Sequence, residues 1–195
     1  MTLVKPSIGF MLACGALAAQ KHDIGLLLGR EVVVNRPGID AASGTAFYAN
    51  YGHRLINARV AALYVEVPFV ATPQHAVKSA NVLVPKDFAS LFVTPGVKVK
   101  FGSFLPVVPF VAAGAGYGQF EQSVSRQDDK PNAGPRRTHT AAFDIGGGVE
   151  IKLPFPWIRL RGEIRDFISG NPSLNAPLAG KQHNVFAGVG ISLGW

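Results

Sequence analysis

The final segment of the chain, residues 183–195, alternates between two kinds of side chain. In an extended strand, alternate residues share a face. One face is therefore apolar and ends in an aromatic ring, while glycine and serine dominate the other. A strand with one face in water usually places charged residues opposite its apolar row, whereas a strand between lipid and a narrow barrel lumen has the observed pattern. The apolar row comprises Val185, Ala187, Val189, Ile191, Leu193 and Trp195.

This alternating run resembles the C-terminal sorting signal of bacterial outer-membrane β-barrels. The resemblance implies that the barrel-assembly machinery recognises the segment during biogenesis. The residues of this C-terminal assembly signal are Val189, Ile191, Leu193 and Trp195. The alternative is the last strand of a soluble β-sandwich that ends in tryptophan.

The composition favours a membrane protein of one domain. The chain has 195 residues, 48% of them hydrophobic, and only 16% are charged, against roughly 25% in typical soluble domains. No run of about 18 apolar residues is present, so a helical membrane span is excluded. An integral membrane protein without such a helix must be a closed β-barrel, because lipid leaves no partner for an unpaired backbone group.

The N-terminus predicts export. Lys5 precedes an apolar run, 8–19, and residues 16–18 fit a small-x-small cleavage pattern. We therefore predict a cleavable signal peptide at 1–18 and a single outer-membrane β-barrel domain at 19–195. Cys14 is removed with the signal, so the mature chain has no thiol chemistry. A lipoprotein signal is the alternative use of Cys14, but residues 11–13 depart from the lipobox pattern.

The rest of the chain predicts an all-β fold, an eight-stranded antiparallel up-and-down transmembrane β-barrel. Period-two alternation and turn residues place the connections, which alternate long and short, as in barrels with short periplasmic turns and long extracellular loops. The predicted strands are 22–30, 45–55, 58–70, 90–101, 107–120, 140–152, 157–168 and 183–195. The four long loops are 31–44, 71–87, 121–139 and 169–182.

Alternation alone does not say which face is outside, because a soluble lipocalin-like barrel alternates in the same way. The signal peptide, the small residues of the non-apolar rows and the aromatic residues near strand ends favour lipid outside. Charged residues on the strands must then point into the lumen. They are predicted to form a network of paired charges: Glu66, Lys98, Lys100, Asp144, Glu150, Arg161, Glu163 and Arg165.

An eight-stranded lumen is just wide enough for side chains to fill, so we expect a plugged interior and not an open pore. The network is interpreted as structural filling, with a proton or ion path as the alternative. Catalytic, cofactor and metal sites are not predicted. The glycines of 114–118 lack the helix that a dinucleotide fingerprint requires, and the five histidines have no metal-ligand spacing along the chain. His139 and Glu150 resemble two members of the lipid A deacylase site, but Ala141 stands where its serine is required.

The whole predicted mature chain resembles the small outer-membrane barrels of the OmpA/OmpX type. The resemblance implies the cell outer membrane as location, and an envelope-structural or surface-interaction role through the long loops, without enzymatic activity. The net charge of +7 is spread along the chain, so it does not indicate nucleic acid, and outer-membrane lipid and lipopolysaccharide are the expected partners. The alternatives are a lipid-modifying outer-membrane enzyme and a soluble periplasmic barrel that binds a ligand.

Overall fold

A computed structural model describes residues 21–34, 38–58, 60–176 and 180–195. The predicted signal peptide, 1–18, lies outside the described residues. In the described parts of the chain, no helix has the length and apolar composition of a membrane span. The strands are β1 (His22–Val33), β2 (Asp40–Ala41), β3 (Gly44–Asn57), β4 (Ala61–Lys78), β5 (Asp87–Val93), β6 (Gly96–Phe101), β7 (Val107–Gln122), β8 (Arg137–Lys152), β9 (Ile158–Ser169) and β10 (Gln182–Gly194).

The sheet closes on itself because β1 pairs with both β3 and β10 in antiparallel register. β5 and β6 are two parts of one barrel strand, and both pair with β4 on one side and β7 on the other. Thr94 and Pro95 interrupt this strand, since proline cannot donate to the ladder. β2 is a short addition that pairs with the end of β4. The prediction of an all-β, eight-stranded antiparallel barrel is confirmed.

The outer surface of the barrel is apolar. Each predicted outward row lies on the exposed side of its strand, and the residues between them point into the lumen. Ile145 and Ile164 are both 62% exposed, whereas Lys98 and Arg161 are 0% exposed. This polarity is the reverse of a soluble barrel, which buries its apolar rows and exposes its charges. The lipocalin-like alternative is therefore wrong.

The strands extend further than predicted at the end of the barrel that carries the long connections, called the loop end below. β4 has 18 residues, although a membrane-spanning strand needs about 9–11. A register shift between Thr72 and His75 lets β4 accommodate Pro73 and continue. Val77 is buried in this extension, and Val84 is buried in the connection that follows it.

This extension corrects the predicted loop bounds. The observed connections at the loop end are 34–43, 79–86, 123–136 and 170–181, so about half of 71–87 is strand. Glu31, predicted in a loop, lies in β1 with its side chain buried. The opposite end of the barrel, called the turn end, carries the connections 58–60, 102–106 and 153–157.

Glycine allows the strands to approach each other closely at Gly148 in β8. A Cβ atom there would clash with the carbonyl oxygen of Gly162 and would lie 2.8 Å from the Phe110 ring. Gly162 faces outward, and a Cβ atom there would lie 4.0 Å from Val189. The glycines of this region therefore have different roles, one on the crowded lumen side and one on the open outer side.

Candidate functional site: the barrel lumen and its loop end

The lumen nearest the turn end, called the charged section, is filled by ion pairs. All eight residues predicted for the charge network are buried there. Asp23 from β1 and Arg159 from β9 join them through ion pairs with Lys98 and Glu150. The acids are Asp23, Glu66, Asp144, Glu150 and Glu163, and the bases are Lys98, Lys100, Arg159, Arg161 and Arg165. Acids and bases are equal in number, so the section carries no net formal charge.

Arg165 links three carboxylates in this section. Its Nη1 donates to Asp144 at 2.7 Å, its Nη2 to Glu66 at 2.5 Å, and its Nε to Glu163 at 2.9 Å. These partners come from β8, β4 and β9, so one guanidinium connects distant parts of the barrel wall. Its planar set of donors suits this arrangement, because each of the three guanidinium nitrogens donates to a carboxylate oxygen.

The two lysines of β6 lie deeper toward the turn end. Lys98 Nζ lies 3.0 Å from Glu66 and 3.6 Å from Asp23. Lys100 contacts Asp23 and lies 2.8 Å from Glu150. Both ammonium groups also face the ring of Tyr64, at 5.6 and 4.8 Å from its centroid. Each buried charge therefore has an opposite charge within reach, which lowers the cost of removing it from water.

The predicted network omitted Asp23, although the alternation of residues in the first strand places its side chain inside the barrel. With Ile24, Leu26 and Leu28 assigned outward, the alternation requires Asp23 to point inward. The residue lies at the start of β1, and it is 1% exposed. Asp23 therefore belongs to the lumen interior even though it lies near a strand end.

Above the charged section, toward the loop end, aromatic rings fill the lumen; this is the aromatic section. Phe92 stacks on Phe167 with centroids 5.0 Å apart and meets Phe120 edge-on at 5.7 Å. Tyr48 stacks on Phe186 at 5.2 Å and donates a hydrogen bond to Glu163, which joins this section to the charged one. Phe88, Phe92, Phe120, Phe167 and Phe186 are all 0% exposed.

A buried polar cluster lies between the aromatic section and the loops. Glu31 accepts hydrogen bonds from Thr72 at 2.5 Å and from Ser90 at 2.9 Å. The His75 ring lies 3.4 Å from Glu31 and stacks on Phe88. Glu31, Thr72 and His75 are 0% exposed, so these groups do not meet solvent or substrate. The cluster joins three strands, β1, β4 and β5.

The connections at the loop end are joined by side-chain hydrogen bonds. Gln127 donates to the carbonyl oxygens of Val77 and Pro85, and Asn175 donates to that of Leu83. Ion pairs of Lys86 with Asp129 and of Arg126 with Asp128 hold 123–136 in place.

Another ion-pair group closes the base of this loop, where Arg136 and Arg137 both bond to Glu121. Their hydrogen bonds lower the pKa of the Glu121 carboxyl, which lies at the loop end of β7 beyond the length that spans a membrane. The carboxylate therefore remains charged over the neutral pH range, and 123–136 is fixed at both its tip and its base.

The structure does not assemble a deacylase-like site. His139 faces outward at the loop end of β8, where it bonds to Tyr117, while Glu150 lies in the charged section. The two residues are on opposite faces of one strand, about 36 Å apart at roughly 3.3 Å per residue. Ala141 has no nucleophile. Among the described residues, no three His, Cys, Asp or Glu side chains are grouped as metal ligands.

The residues of the predicted assembly signal lie on the outer face of β10, except Trp195, which directly follows the strand. Val189 and Trp195 are 67% and 54% exposed, and Ile191 and Leu193 follow the same row. Trp195 lies at the turn end in a group of rings that His22 connects. His22 stacks on its ring at 5.6 Å and lies near Tyr51. This is the position of an interfacial aromatic girdle in a membrane barrel.

Comparison with known proteins supports the fold. No family model matches the chain, and no curated protein matches its sequence. The structure is similar to Neisserial surface protein A, with a TM-score of 0.61, 12% identity, and 89% of this chain and 97% of that one covered. It is also similar to the outer-membrane protein OprG from Pseudomonas aeruginosa, with a TM-score of 0.50, 13% identity, and coverage of 91% and 96%. The fold is that of the small eight-stranded outer-membrane barrels.

Proposed function

We propose that this protein is an integral outer-membrane barrel with a closed lumen, and that it acts in envelope structure or surface interaction through its loop end. The observation that carries the proposal is the polarity of the barrel wall. Apolar side chains cover the outside, and eleven charged residues of the described chain, ten of them in the charged section, are buried inside. Lipid would contact the apolar outer surface, and ion pairs within the lumen compensate the buried charges.

A structural or binding role is favoured over transport because the lumen is filled along its length. The charged section is packed with paired side chains, and five buried phenylalanines occupy the aromatic section. Eight-stranded barrels have room for side chains and little else. A plugged barrel exposes its loops as the remaining surface for contacts outside the membrane.

The proposed partners follow from the proposed location in the outer membrane. The apolar belt would contact outer-membrane lipid, and basic loop residues would contact the phosphates of lipopolysaccharide. Arg30 faces outward near the loop end of β1, where its guanidinium bonds to Ser43. During biogenesis, the barrel-assembly machinery would recognise the outer row of β10, from Val189 to Trp195. Export would depend on the signal peptide at 1–18.

We propose no enzymatic activity. The favoured enzyme alternative needs a histidine, a serine and an acid at the outer rim of the barrel. The rim residue His139 is instead paired with Tyr117, and the buried histidine–serine–glutamate cluster around His75 is covered by Phe88. An assay of lipid A from cells with and without the protein tests this point, and a change in acylation would contradict it.

Cysteine labelling of intact cells tests the proposed orientation. Cys14, the only cysteine, lies in the predicted signal peptide, so single cysteines can be introduced without interference. Lys130→Cys lies in 123–136, where the lysine side chain is 71% exposed, and Phe104→Cys lies in a connection at the turn end. A membrane-impermeant maleimide should label Lys130→Cys in intact cells, and Phe104→Cys only after lysis. The opposite pattern would contradict a role for the loop end at the cell surface.

A further inference from the structure

The turn end carries a pair of histidines that the function proposed above does not use. His22 in β1 and His53 in β3 are direct partners in the antiparallel register. Both side chains point outward, and both are partly exposed. Their Nδ1 atoms lie 3.5 Å apart, and the Tyr51 hydroxyl lies 2.8 Å from the Nδ1 atom of His22. Three atoms able to bind a cation therefore converge at one point on the barrel wall.

We propose that His22 and His53 form a zinc-binding site at the turn end of the barrel. Neutral imidazole is a common zinc ligand and can bind through Nδ1 when Nε2 carries the proton. The two rings are held on paired strands of a closed sheet, so little conformational entropy is lost when both bind one metal ion. Directly opposite residues on antiparallel strands have the spacing that a shared ligand requires.

The distance between the nitrogens favours zinc over metals that prefer square-planar ligands. With Zn–N bonds of about 2.0–2.1 Å, two nitrogens 3.5 Å apart subtend an angle of about 113–122° at the metal. This angle is near the tetrahedral value. A square-planar Cu²⁺ or Ni²⁺ ion would need adjacent nitrogens only about 2.8–2.9 Å apart, so the strands or rings would have to move.

The neighbouring side chains support the site without completing it. The Trp195 ring stacks on His22 at 5.6 Å and fixes the plane of that imidazole. The Tyr51 hydroxyl is placed to bond to a zinc-bound water or to take a third position. The remaining positions would hold water, because the described chain brings no third His, Cys, Asp or Glu to the pair. We therefore expect weaker binding than at a structural zinc site with four protein ligands.

The chain contains a matched control for this arrangement. His139 at the loop end also stacks on a tyrosine, Tyr117, at 5.8 Å and bonds to its hydroxyl. It lacks a facing second imidazole in the register, because its partner in β7 is Gln119. A histidine beside a tyrosine is thus present in both places, and only the turn end has the pair.

The test uses untagged protein purified in detergent, with Zn²⁺ titrated in competition with a chromophoric chelator. The wild type and His139→Gln should bind one Zn²⁺ per barrel with equal affinity. His53→Gln should bind about tenfold or more weakly, since loss of a group that only supports a metal ligand already costs about 10–100-fold. Heat-dependent gel mobility checks that each variant is folded. Equal affinity of wild type and His53→Gln would overturn the proposal.

A second measurement does not depend on the histidine variants. Trp157→Phe leaves Trp195 as the only tryptophan, and this ring stacks on the proposed ligand His22. Co²⁺, a paramagnetic substitute for zinc, should quench the Trp195 fluorescence, and an excess of Zn²⁺ should restore it. Absence of quenching, or quenching that Zn²⁺ does not reverse, would overturn the site.

Discussion

Arg165 and Glu66 meet across the barrel lumen, where Nη2 of the guanidinium lies 2.5 Å from the carboxylate. Their strands, β9 and β4, are not neighbours in the sheet, since β3, β1 and β10 lie between them. The contact therefore spans the interior and does not follow the wall. Arg165 also bonds to Asp144 and Glu163, which makes it the centre of the charged section.

Replacing Arg165 with methionine should destabilise the barrel strongly. The change keeps an unbranched apolar stem but leaves three buried carboxylates short of a cation, and breaking a buried ion pair from one side costs roughly 3–5 kcal/mol. Urea unfolding in lipid vesicles measures this loss. The control is Arg137→Met, which removes an arginine that is 61% exposed and should leave the unfolding curve unchanged. Similar curves for both variants would mean that the network does not stabilise the fold.

Because the outer face of the barrel wall is apolar, a charged substitution on that face should impair assembly. Ile164 is 62% exposed near the middle of β9, so Ile164→Lys would place an ammonium group in lipid at a cost of about 2–4 kcal/mol. Ile164→Leu keeps the apolar contact and should assemble as the wild type does. The measurement is the yield of folded barrel in the outer membrane. Normal assembly of Ile164→Lys would contradict the assignment of this face to lipid.

Two glycines on the paired strands β8 and β9, Gly148 and Gly162, provide a paired test of packing. Gly148→Ala should impair folding, because its methyl group would clash with the Gly162 carbonyl and crowd Phe110. Gly162→Ala should be neutral or stabilise the barrel by about 0.4–1 kcal/mol, since it reduces the freedom of the unfolded chain where space is open. Refolding yield into detergent and urea midpoints distinguish the two. If Gly148→Ala refolds as readily as Gly162→Ala, the close approach of the strands is wrong.

The filled lumen predicts that the protein does not conduct ions. Single barrels in a planar lipid bilayer should show no conductance steps. Phe92→Ala should cost about 3–5 kcal/mol of stability, because it opens a cavity between Phe120 and Phe167. It should still not conduct, since the charged section remains closed below the cavity. Regular conductance steps from the wild type would contradict the plugged interior.

The faces of the strands could be predicted from the sequence because they depend on a period of two. Once Ile145 or Val97 is assigned outward, the next residue, Gly146 or Lys98, must point inward. The confirmed barrel fold follows from this alternation and from the order of the connections. The same parity would have identified Asp23, which the predicted network omitted.

Contacts that depend on register could not be predicted in the same way. His22 and His53 are 31 residues apart along the chain, and spacing alone does not show that they are opposite each other. The extension of β4 was hidden by Pro73, which usually marks the end of a strand but here lies at a register shift. Glu31 was predicted in a loop, but it accepts hydrogen bonds from Ser90 in β5 and from Thr72, which lies in the extension of β4.

The most direct test of the central claim, a closed barrel with lipid outside, is gel mobility of outer-membrane fractions before and after boiling. A closed, hydrogen-bonded sheet resists detergent until it is heated, so we expect the protein in the outer-membrane fraction with a clear shift on boiling. Recovery in the soluble periplasmic fraction, with the same mobility in both samples, would contradict the account. The exposed apolar belt would then need a different explanation.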